Sequence, residues 1–167
     1  IIFMIICRTP TILKAGQIGK KAGTLSREKK MNFANKYKDK NMNEIGKNLD
    51  LLSKLTGENC LLDTKIETIS IFEMNFCLIA EITLKMRKKS SFDKVLLRLI
   101  GVKEYSFYYR SDRIFYNVER CKLLLNDEDF FYLCTDPFDD TNKISEHDQD
   151  YIFAKEIVAM ELVEGSE

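Results

Sequence analysis

Hydrophobic and polar positions change period near Leu61. In NMNEIGKNLDLLSKLTG, Asn41 to Gly57, the residues Ile45, Leu49, Leu52 and Leu55 recur at helical spacing, and Gly57 stands where a helix would stop. The spacing predicts one helix with a core-facing stripe. From Leu61 the period is two. TKIETISIF alternates Ile66, Thr68 and Ser70 against Glu67, Ile69 and Ile71; Glu73-Met74-Asn75 supplies a turn, and FCLIAEITLKM continues as a second strand. The charged turn Arg87 to Asp93 leads into KVLLRLIGV. EYSFYYR, IFYNVERCKLLL and DFFYLCTD follow over short connections at Gly101, Ser111-Asp112 and Asn126-Asp127. Strands joined this closely are antiparallel neighbours, because parallel crossovers need a dozen or more residues. The last segment, YIFAKEIVAMEL, reads as a strand with Ile152, Ala154, Val158, Met160 and Leu162 on one face and Glu156 the exception; a helix capped by Ser145 is the alternative. The fold predicted is α+β: one N-terminal helix packed on a mostly antiparallel sheet of six or seven strands, a single domain over residues 31–167.

Residues 1–30 are expected to stand apart from that domain. The opening IIFMIIC has seven apolar residues before Arg8, well short of the roughly 20 that a membrane helix needs, so no anchor is expected. RTPTILKAGQIGKKAGTLSREKK then shows three glycines and no sustained period, the pattern of a disordered basic leader. Arg27, Glu28, Lys29 and Lys30 can be encoded as a purine-rich run just ahead of Met31. That is the signature of a ribosome-binding sequence, so translation is expected to start at Met31 and residues 1–30 to be upstream sequence read through; a true basic tail is the alternative.

Length and charge refine the picture. A chain of 167 residues suits one domain with a core that needs neither metal nor disulfide. The 26 bases and 26 acids cancel over the whole chain but not along it. Residues 1–30 hold seven Lys and Arg against Glu28 alone, whereas residues 126–167 hold thirteen Asp and Glu against Lys143 and Lys155. Beyond the leader, nineteen bases face twenty-five acids, a net charge of −6. Five scattered cysteines without a CxxC pair indicate reduced thiols and a cytoplasmic protein; Cys77 and Cys134 lie within apolar runs.

Candidate chemistry is sparse, and no catalytic residue or cofactor is expected. His147, the single histidine and so the one base available to a nucleophile, lies in a polar loop between Glu146 and Asp148 and reads as a solvent-facing residue. The glycines at 16, 19 and 23 precede no strand-to-helix pattern with GK[ST], which excludes a P-loop motif. Tyr105, Phe107, Tyr108, Tyr109, Phe115 and Tyr116 with Arg110 and Arg113 offer rings and cations of the kind that stack single-stranded nucleic acid. The acidic balance beyond Met31 repels phosphate, so no nucleic acid is expected as partner.

The acidic run is what remains. Asp136, Asp139, Asp140, Glu146, Asp148 and Asp150 lie within FFYLCTDPFDDTNKISEHDQD. They have the hard oxygens that calcium or magnesium prefers, and a divalent-metal module or metal-assisted hydrolase is one reading; their spacing fits no EF-hand loop. Docking of a basic protein is the other, since an acidic surface steers cationic partners. The six carboxylates are therefore expected to form a partner-binding surface, with no metal bound. The order of the helix, LLDTKIETISI, IGVKEYSF, FYLCTDPFDD and the D-x-D-x-I run at Asp148, Asp150 and Ile152, with Phe153, resembles small uncharacterised bacterial domains, among them immunity proteins of polymorphic toxin systems. The resemblance covers residues 45–162 and assigns no residue a role. It implies a cytoplasmic inhibitor that binds its cognate toxin and performs no reaction.

Overall fold

A computed structural model describes residues 42–109, 111–112 and 117–163. The basic leader, the start at Met31 and, within the aromatic run, Arg110, Arg113, Phe115 and Tyr116 lie outside the described residues. The elements run β1 (Met42–Lys47), α1 (Asn48–Lys54), a 3-10 turn (Gly57–Asn59), β2 (Thr64–Met74), β3 (Cys77–Lys85), β4 (Lys94–Ser106), β5 (Asn117–Val118), β6 (Lys122–Leu125), β7 (Phe131–Asp136) and β8 (Gln149–Leu162).

The α+β expectation is overturned. Strand accounts for 56% of the described residues and helix for 9%, and the sheet curls into a half-barrel. All eight strands belong to one antiparallel sheet of order β5-β2-β3-β4-β8-β7-β6, with β1 on the remaining part of the β8 edge. The curl follows from connectivity. β5 and β6 sit at opposite ends of this order, yet only Glu119, Arg120 and Cys121 join them, so the two ends must approach within roughly 14 Å at ~3.5 Å per residue. Inside the curve lies one core. Ile66, Leu84 and Val95 form a cross-strand row, Ile82, Leu97 and Ala159 a second, and Ala80, Leu99 and Ile157 a third.

The predicted N-terminal helix splits in two. Met42–Lys47 pairs antiparallel with Val158–Leu162 on a stretch of β8 that β7 does not reach, so sheet pairing overrides the local helical spacing. The helix that remains has seven residues. Ile45 belongs to β1 and Leu49 is 53% exposed; Leu51, Leu52 and Leu55 are the residues that enter the core. Two local features make the strand-to-helix corner possible. A Cβ on Gly46 would meet the Asp50 carboxylate at 2.9 Å and the Leu51 backbone at 3.3 Å, so glycine permits α1 to fold back on β1. Asn48 adopts a left-handed φ of 53°, and its Oδ1 accepts the Ile157 N–H at 3.0 Å, just past the last β1–β8 pair.

β8 is a strand, as expected, but its faces are not. Ile152 and Ala154 join Ile157 and Ala159 in the core, while Val158 and Leu162 are only half-buried. The phase slips where the β8 neighbour changes from β7 to β1, with residues 155–157 paired to neither. EYSFYYR is no separate strand through its first half: β4 runs on to Ser106, passing a shift in register after Val102 beside Gly101 at φ 68°.

Candidate functional site

β6, β7 and the first half of β8 have two apolar faces. Leu123, Leu133 and Ile152 point into the barrel. On the opposite face Lys122 stands across from Cys134 and Cys134 across from Tyr151, while Leu124, Tyr132 and Phe153 form the neighbouring row. Such an outer face is ordinarily solvated. Here Lys122, Leu124, Tyr132 and Cys134 are each at most 2% exposed, because residues 137–148 fold back over them as a strap.

One buried ion pair holds the strap. Lys122 Nζ donates to Asp148 Oδ1 at 3.0 Å, to Asp139 Oδ1 at 3.0 Å and to the Lys143 carbonyl at 2.8 Å. The Asp148 side chain is fully buried. Its Oδ1 also accepts the Phe138 N–H at 2.9 Å, and its Oδ2 accepts the Ser145 N–H at 3.0 Å and the Tyr132 hydroxyl at 2.9 Å. A single carboxylate therefore ties both ends of the strap to β6 and β7. Among the described residues no buried side-chain nitrogen or oxygen lacks a partner, as a buried charge pair requires.

The electrostatics follow from the contacts. Burial pulls the Lys122 ammonium down, but hydrogen bonds and charge from Asp148 and Asp139 outweigh it and hold the group above its ordinary value. For Asp148, burial pushes up, while the Ser145 and Phe138 N–H groups, Lys122 and Tyr132 bring the carboxyl below the usual range. Asp139 falls to about 2 through the Thr141 hydroxyl, then Lys122 and the Thr141 N–H. Desolvation raises the Tyr132 phenol and lifts the Cys134 thiol to about 12. Lys122 is thus a fixed ammonium and Cys134 a protonated thiol; neither is poised as a nucleophile.

The six carboxylates read from the sequence take five different places. Asp148 is 5% exposed and its oxygens are used inside the strap, which makes it a clamp and not a docking charge. Asp139 is half-buried on Lys122. Asp136 ends β7 opposite Gln149, and Asp150, at φ 51°, accepts the Tyr108 N–H at 2.7 Å. Asp140 and Glu146 are exposed on the strap, Glu146 beside His147. Asp139 and Asp148 converge on an ammonium and not on an open centre, and among the described residues no group of three or more His, Cys, Asp or Glu side chains could hold a metal ion. Lys122 and Tyr132 escaped the sequence reading. The available signal was a lysine in phase with Leu124 within the apolar run CKLLL, since a buried charge demands a partner. Asp127 and Asp129, which the sequence places in a short connection, are exposed on the β6–β7 turn.

No protein-family model, curated protein or solved structure matches this chain. Among the described residues no helix is long and apolar enough to cross a membrane.

Proposed function

We propose that the domain is a non-catalytic protein-binding module that presents an ordered acidic surface to a basic protein. Neutralisation of a toxin, in the manner of immunity proteins, is the form to which the sequence resemblance points. The observation that supports this reading is the clamp. By fixing residues 138 and 145 through Asp148, the fold holds Asp140 and Glu146 outward on a strap that a free acidic loop would leave to fluctuate. Asp127 lies across a cleft from the strap, lined by Leu124, Leu125, Asp127, Lys143 and Ile144, and Asp129 is exposed on the same turn. Preorganised charge reduces the ordering cost of binding and steers encounter.

The test uses a basic protein recovered with the wild-type chain from its own host, then purified. Changing Asp127, Asp129 and Asp140 to Asn and Glu146 to Gln removes exposed charge and leaves the clamp in place. Association should slow by about tenfold or more at low salt, with the difference shrinking as salt rises, while dissociation changes less. Equal association rates for the two chains at low salt would refute the acidic docking surface. For the toxin form, the wild-type chain should block the lethality of that protein when both are expressed together.

A further inference from the structure

The hairpin of β2 and β3 ends in a two-residue turn, Asn75-Phe76, with φ of 53° and 59°. Left-handed values at both positions define a type I′ turn, which suits asparagine first and glycine second. A bulky residue in the second position is strained by its own Cβ. Phe76 gains nothing from the fold in return, because its side chain is fully exposed, at 100%. Phe72, on the same hairpin, is 37% exposed. Pairing with β4 ends at Ile79 with Ile100, so among the described residues no third strand flanks the distal hairpin. Lys65 and Lys85 stand at its root, and between them the chain carries Glu67, Glu73 and Glu81 and no base. Glu67 pairs with Lys94 and Glu81 with Arg98, which leaves Glu73 as the carboxylate of the projecting end.

We infer that Phe76 is an anchor for the same basic partner, entering an apolar cleft whose border bears a Lys or Arg that meets Glu73. This rests on the reading of the domain as a protein-binding module. Strain at a tip that glycine would relieve points to a function for the ring outside the fold, and buried aromatic anchors dominate the energetics of interfaces. Glu73, the carboxylate near the ring, selects a base-rimmed cleft over an anionic lipid surface.

Phe76→Gly separates fold from binding. It should raise the thermal midpoint, by completing an Asn-Gly turn, and weaken binding to the purified basic protein at least tenfold, chiefly through faster dissociation. Glu73→Gln should weaken it less and reduce its salt dependence. Unchanged affinity of Phe76→Gly overturns the inference, and so does a lowered midpoint, which would make the ring a part of the fold. A wild-type dimer that becomes monomeric on Phe76→Gly would make a second copy the occupant, and loss of binding to anionic phospholipid vesicles would make it a membrane; either overturns it. If Phe76→Gly weakens binding while the four-acid variant associates normally, the acidic surface fails and the anchor stands. If the acid variant slows association while Phe76→Gly binds as wild type, only the anchor fails. Failure to recover any basic partner overturns both.

Discussion

Replacing Lys122 by methionine keeps an unbranched side chain as far as Cε in β6 and deletes the ammonium that holds the strap. Two unit charges about 3 Å apart at an effective dielectric of about 20 attract by roughly 5 kcal/mol, and breaking a buried pair from one side costs about 3–5 kcal/mol. Asp148 keeps the Tyr132 hydroxyl and the Phe138 and Ser145 N–H groups as donors, so the loss should fall at the low end, about 3 kcal/mol. For a chain of this size that corresponds to a drop of roughly 10 °C in thermal midpoint. Urea unfolding followed by tyrosine fluorescence measures the stability, and amide exchange at Phe138 and Ser145 reports the strap. Both should fall in Lys122→Met. The double variant Lys122→Met with Asp148→Leu removes the stranded carboxylate but leaves the Tyr132 hydroxyl and the Phe138 and Ser145 N–H groups without their acceptor, at about 1–3 kcal/mol for each that stays buried, so it should be no more stable than Lys122→Met alone. Protection at 138 and 145 should stay lost, because their acceptor is gone. A Lys122→Met chain destabilised by less than about 1 kcal/mol with both amides still protected would refute the clamp.

Further outcomes follow from the same contacts. Asp148 and Asp139 have depressed values, Asp139 at about 2, so their contribution is complete above the ordinary carboxylate range near 4 and is lost as pH falls through the depressed values; strap amides should lose protection on acidification before β4 and β8 do. Lys122 is raised, so its contribution persists below its ordinary value near 10 and fades only as pH climbs past the folded one. The Cys134 thiol, buried and lifted to about 12, should react with a thiol reagent far more slowly than Cys77 or Cys121 in the native chain, and Lys122→Met should accelerate it selectively. Asn48→Ala should cost about 1–3 kcal/mol by leaving the Ile157 N–H without an acceptor, read by urea unfolding; a change below about 0.5 kcal/mol would mean that water replaces the side chain.

Alternation from Thr64 onward made strands legible: β3 and β7 fall close to where period two placed them, β2 runs on through Glu73 and Met74, which were expected in the turn, and β4 takes in the first half of the segment expected as a separate strand. What the sequence could not reveal was the partner of residues 42–47. Their helical spacing is genuine, but a strand forms because β8, at fourteen residues, is longer than β7 and leaves an edge to fill. That decision belongs to tertiary pairing and has no local signature. The phase slip within β8 is hidden for the same reason, since it arises where one neighbour gives way to another.

The acidic run was legible as charge and illegible as structure, because a count of carboxylates does not say which of them face inward. Asp139 and Asp140 are adjacent, yet the first is bound to Lys122 and the second faces solvent. The difference depends on a lysine seventeen residues earlier that sits in phase with Leu124. Any experiment that neutralises the whole run together therefore mixes two effects. Asp148→Asn leaves Lys122 with Asp139 as its remaining carboxylate and weakens the anchor of residues 138 and 145, so it should displace Asp140 and Glu146 even where they are intact. Asp140→Asn and Glu146→Gln should leave those amides protected. Comparing the two sets by amide exchange before any binding measurement decides whether a lost partner reports a missing charge or an unfastened strap.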